Sequence, residues 1–116
     1  MATNSVTMKR HDTRPFLEVI LQDVNVSALD LSATVSGITF TMKNLDDDAV
    51  KVNAQDCSLV NTGSDGMVRY SWQDADTDTA GTYVGEFQIL YNDLTKLTVP
   101  TSSVLSIVIL EDYDNA

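Results

Sequence analysis

From Pro15 onward the chain alternates between apolar and polar positions. Leu17, Val19 and Leu21 share one face, and Phe16, Glu18, Ile20 and Gln22 share the other. Ile38, Phe40 and Met42 alternate with Thr39, Thr41 and Lys43, and Val68, Tyr70 and Trp72 share a face across Met67–Gln73. Thr82–Tyr91 is the longest such run, with Tyr83, Gly85, Phe87, Ile89 and Tyr91 in phase. Weaker runs lie at Ala49–Ala54, with Val50 and Val52 expected inward, and at Cys57–Val60; Val104–Leu110 closes the series. A period of two places alternate side chains on opposite faces of a strand. Between Asp23 and Leu31, Val24, Val26, Leu29 and Leu31 are candidate anchors of a loop. Turn signals separate the runs: Asn44-Leu45-Asp46-Asp47-Asp48, Asn61-Thr62-Gly63-Ser64-Asp65-Gly66, the polar stretch Asp74–Ala80 and Asn92-Asp93. Asn and Asp bond their own backbone at corners, and glycine supplies positive φ. Seven to nine short strands with turns about every 8–12 residues predict an all-β sandwich or small barrel.

Composition supports this class. Val, Ile and Thr make up 31 of 116 residues, while Glu, Lys, Arg and Gln make up only 14. β-branched side chains lose rotamer freedom in helices and suit pleated sheets. Length and the absence of any linker or repeat predict one domain at residues 15–111. A polar leader arm at 1–14, read as a solvated arm or an edge strand, precedes it, and an acidic tail at 112–116 follows.

Net charge is −10. Such a chain repels phosphate backbones and anionic membranes, so neither nucleic acid nor membrane is an expected partner. It suits a partner with a basic face. Residues 44–93 carry ten acids against Lys51 and Arg69 alone, whereas the leader holds Lys9, Arg10 and Arg14. The basic face could belong to a different protein, or Lys9, Arg10 and Arg14 could be a subunit contact, the leader of one copy lying on the acidic loops of the next in a homo-oligomer. The single cysteine, Cys57, allows no internal disulfide. The polar start lacks the apolar run of a secretory signal, which predicts synthesis in the cytosol.

Catalytic chemistry has little to work with. The one histidine, His11, lies far in sequence from Cys57, and no nucleophile elbow or phosphate-cradling glycine loop occurs. No enzyme activity and no cofactor are expected. Asp74, Asp76 and Asp78 alternate in a way that could converge on calcium, but the EF-hand pattern fails. Thr79 stands where it needs glycine and Gly85 where it needs a bidentate acid. A solvated turn is the plainer expectation there, with no metal. Trp72, Tyr70, Tyr83, Phe87 and Tyr91 could line a sugar platform, but their spacing fits core packing better. Trp72 and Tyr83 are accordingly structural candidates.

The stretch Gly66-Met67-Val68-Arg69-Tyr70-Ser71-Trp72 is followed by Asp76-Thr77-Asp78-Thr79-Ala80-Gly81-Thr82-Tyr83-Val84-Gly85-Glu86-Phe87. Together they resemble the immunoglobulin-like domain of phage baseplate upper proteins. The segments Lys9-Arg10-His11-Asp12-Thr13, Leu29–Val35 and Ile38–Met42, with Pro100 before the last strand, extend the resemblance over residues 8–111. The same piece resembles the tyrosine corner of immunoglobulin folds, with Tyr83 in that role and Gly85 where antibody domains have cysteine. The resemblance implies an immunoglobulin-like β-sandwich acting as a virion structural protein. Its expected place is a tail or baseplate adaptor bound to other phage structural proteins. The alternatives are a capsid decoration protein on the phage head and, from another class, a carbohydrate-binding or adhesion module.

Overall fold

The computed structural model describes residues 4–22, 28–32, 35–100 and 105–111. Nine strands lie within them: β1 (Asn4–Lys9), β2 (Leu17–Ile20), β3 (Val35–Asn44), β4 (Val50–Asp56), β5 (Ser58–Leu59), β6 (Met67–Tyr70), β7 (Gly81–Tyr91), β8 (Lys96–Val99) and β9 (Leu105–Leu110). One sheet runs β1-β9-β7-β3-β4, with β8 also paired to β7, and the other runs β2-β6-β5. β1 lies parallel to β9, and the other pairs are antiparallel. Two sheets enclosing one apolar layer, with the first strand parallel to the last, make this an immunoglobulin-like β-sandwich.

The in-phase residues fill the layer between the sheets. Leu17, Leu21, Ile38, Phe40, Met42, Val68, Tyr70, Trp72, Tyr83, Phe87, Ile89, Leu105, Ile107 and Ile109 are buried, and Val19 is partly buried against them. Met8, Leu31, Val52 and Val99 complete the core, and Leu29 packs against it. Val24 and Val26 lie outside the described residues, as does the tail at 112–116.

One expectation resolves and one changes. Of the solvated arm and the edge strand open for the leader, residues 4–9 form the strand, because Val6 and Met8 alternate with Ser5 and Thr7 and cover the core beside β9. Val50 points outward, at 57% exposure, while Val52 is buried. β4 carries two register shifts against β3: Asn53 and Ala54 oppose Thr41, and Lys51 is a further extra residue. Each bulge turns the strand and reassigns its faces. Ala54 takes a positive φ there, and its N–H donates to the Thr41 hydroxyl.

At the centre Phe40 meets Tyr70 at 4.9 Å, Phe87 at 5.0 Å and Trp72 at 5.9 Å between ring centroids. The Phe40 ring also lies over Gly85. A Cβ there would stand 2.7 Å from Phe40 Cε1 and 3.0 Å from Ile107 Cδ1. Gly85 is therefore set by a close approach across neighbouring strands rather than by a turn. Trp72 Nε1 is buried and has no hydrogen-bond partner among the described residues. Gly85→Ala is expected to cost about 1–3 kcal/mol, because a fully buried ring must shift. Urea denaturation measures this, and an unchanged midpoint would show that the ring has room to move.

Candidate functional site

The three alternating carboxylates sit on and beside a 3₁₀ helix at Asp74–Thr77. Asp76 is buried and turned inward, where it accepts hydrogen bonds from the Tyr70 hydroxyl at 2.5 Å and the Gln73 N–H at 2.8 Å. Asp78 meets Lys51 at 2.5 Å and accepts a hydrogen bond from the Thr79 hydroxyl. Asp74 lies 3.4 Å from Nδ1 of His11. The carboxylates are thus spread over three partners rather than aimed at one point. Among the described residues no three His, Cys, Asp or Glu side chains form a metal-holding group. The expected solvated turn changes at Asp76, which is buried, and the side chains fan out because a 3₁₀ turn does not repeat at two residues.

Two residues further on, the Tyr83 hydroxyl donates to the Thr79 carbonyl at 2.7 Å, which is the geometry of a tyrosine corner. Burial and the Asp76 hydrogen bond both push the Tyr70 hydroxyl pKa upward, so Tyr70 remains a donor. The Cys57 thiol is pushed up to about 12 by burial and then by Asp56, which suppresses its nucleophilic form at neutral pH. Tyr70, Trp72, Tyr83 and Phe87 are all buried and offer no exposed sugar platform.

The basic leader meets the chain's own acids. Arg10 lies 3.3 Å from Glu111, and His11 reaches Asp74. The His11 N–H donates to the Thr77 carbonyl, and the Thr77 hydroxyl donates to the Asp12 carbonyl. Arg14 instead stacks on Phe16, 5.1 Å from the ring centroid. Arg69 stacks on the same ring at 4.9 Å while binding Glu18, its cross-strand partner.

The leader, open in the sequence between an arm and an edge strand, supplies the outer edge of the sheet as β1. The Arg10 N–H donates to Leu110 within the parallel register Lys9↔Leu110. In such a ladder alternate residues bond the neighbour, so Val6 and Met8 bond β9 while the Ser5 and Thr7 amides and carbonyls face outward. Neither Ser5 nor Thr7 has a backbone partner on that side among the described residues. The other edges are guarded: β4 is bulged twice, β2 and β8 have four residues each, and β5 has two. The alternation Ser5-Val6-Thr7-Met8 was the available signal, hidden by the polar residues around it.

No family model and no curated protein matches the chain. Among solved structures, it resembles CopC from Methylosinus trichosporium OB3b. The likeness has a TM-score of 0.53 at 9% identity, over 97% of this chain and 88% of that one. At that identity the likeness is one of fold. It corrects the functional expectation: CopC is not a phage tail, baseplate or head protein, and the likeness lends a virion role no support.

Two outcomes test the corner as a structural device. Asp76→Ala leaves the buried Tyr70 hydroxyl without its acceptor and is expected to cost about 1–3 kcal/mol. Adding Tyr70→Phe should recover part of that loss, and additive costs would show that the pair is not coupled. The second outcome concerns pH. Hydrogen bonds from Lys51 and then Thr79 hold the Asp78 carboxyl below the ordinary carboxylate range. A folded-state value below the unfolded one stabilises above the unfolded value near ~3.9 and loses that contribution as pH falls through the folded value. Lys51→Gln should therefore cost up to about 1 kcal/mol at pH 6 and less in acid below the unfolded value, by urea denaturation at each pH. Equal costs at both would show that the contact is not ionic.

Proposed function

We propose that this chain is a non-catalytic protein-interaction module that accepts an extended partner segment on the outer edge of β1. The observation that supports this reading is the contrast between edges. One regular six-residue strand, free of proline and bulges, offers outward backbone groups, while the other edges are short or distorted. Strand addition draws affinity from main-chain hydrogen bonds at such an edge. A non-catalytic role is supported by the corner carboxylates being engaged with neighbours and by burial pushing the Cys57 thiol up to about 12.

Thr7→Pro separates the edge from the rest of the molecule. Its N–H faces away from β9, so proline removes an outward donor without removing a ladder bond. Peptides selected from a randomised library on the wild-type chain are expected to lose binding to Thr7→Pro by roughly tenfold or more. Undiminished binding by the selected peptides would overturn the edge as the docking site.

A second reading, metal binding, has one observation in its favour. His11 offers an imidazole, a donor suited to copper, zinc and nickel, beside the Asp74 carboxylate. That is half of a four-ligand set. A copper or zinc titration that raises Tm in the wild type but not in His11→Ala would support it, and no rise would dismiss it.

A further inference from the structure

We infer that the segment received by β1 is β1 of a second copy, laid antiparallel across a two-fold axis at Val6; this rests on the reading that the β1 edge accepts a strand. The ladder parity that turns Ser5 and Thr7 outward also selects the register. With Val6 opposite its symmetry mate, the Ser5 amide and carbonyl meet the carbonyl and amide of Thr7 in the other copy, and the reverse. Four hydrogen bonds then satisfy every outward backbone group of the two residues. Moving the axis to Thr7 would place Ser5 across from Lys9, whose carbonyl already accepts the Asp12 N–H at 3.2 Å. The Val6 register avoids that conflict.

Side chains agree with this register. Ser5 and Thr7 are exposed on one face of β1, so each hydroxyl residue would stand beside the other's symmetry mate, a favourable cross-strand pair. Val6 and Met8 face the core side, where the two apolar layers would run on from one copy to the next. Charge favours the same edge. Residues 4–8 carry none, so no like charges face each other across the seam. Lys9 of the two copies would lie six positions apart, roughly 20 Å, beyond the ~8–10 Å screening length. Ten net negative charges make two copies repel in most orientations. The β1 edge runs into Lys9 and Arg10 and brings fixed cations to the seam. A shared two-fold axis makes the contact self-complementary and closed, so it stops at a dimer.

The test uses the full chain. Light scattering after gel filtration, across a concentration series, is expected to show a monomer–dimer equilibrium. Hydrogen exchange at the Ser5 and Thr7 amides should be fast in dilute protein and slow in concentrated protein. Thr7→Pro should remain monomeric. Because proline also restricts the strand backbone, a second variant, Ser5→Lys with Thr7→Lys, keeps the backbone intact and opposes like charges across the seam; dimerisation should weaken by roughly tenfold or more. A wild-type chain that stays monomeric at the highest concentration, or a dimer untouched by both variants, would overturn the inference. Fast exchange in a monomer that never dimerises would leave the edge open to another partner, overturning only the second copy. Slow exchange in dilute monomer would overturn the open edge itself.

Discussion

The closest constraint in the sandwich is the approach of Phe40 to Gly85. A ring with no exposed surface rests on a backbone position that has no room for a methyl group. Around that contact Tyr70, Trp72 and Phe87 take tilted and edge-on positions, which aromatic quadrupoles favour over face-to-face stacking. Antibody domains join their sheets at this place with a disulfide packed against a tryptophan. Here a phenylalanine on β3 fills the space, and the tryptophan comes from beyond β6. The single cysteine lies elsewhere, only partly buried. Sheet-to-sheet cohesion is therefore a matter of ring packing, independent of redox conditions.

Much of this architecture was legible because period-two alternation has one physical cause. Where a strand is half buried, as in β3, β6 and β7, the inward residues announce themselves. The bulged strand β4 was misread at Val50, because an extra residue resets which side faces in, and nothing in Lys51-Val52-Asn53-Ala54 signals the insertion. β1 stayed undecided between arm and edge strand for the opposite reason. Its apolar pair, Val6 and Met8, is too short a run to stand out among polar neighbours, and a parallel partner about a hundred residues away in sequence leaves no local mark.

The site was less legible than the fold. Asp74, Asp76 and Asp78 look alike in sequence, yet one is buried on a tyrosine hydroxyl, one meets a lysine from the bulged strand, and one meets the histidine after β1. Those partners are set by tertiary placement. The charge asymmetry between leader and loops was real, but it is used at least in part within one chain, where Arg10 and His11 reach Glu111 and Asp74. The resemblance to a virion domain drew on the aspartate-rich loop and the Ala-Gly-Xaa-Tyr piece. These residues build the corner that carries Tyr83, a requirement of the fold that unrelated roles can share.

The parallel pairing of the first and last strands has a mechanical consequence. Because β1 and β9 run the same way, the chain enters β1 at one pole of the sheet and leaves β9 at the other. A pull between those two points slides the strands along each other, so the ladder from Asn4↔Leu105 to Lys9↔Leu110 bears the load together. Antiparallel terminal strands pulled from a shared pole would open one bond at a time. Under tension this sandwich resists in shear, and its lifetime is set by the rate at which that whole ladder gives way.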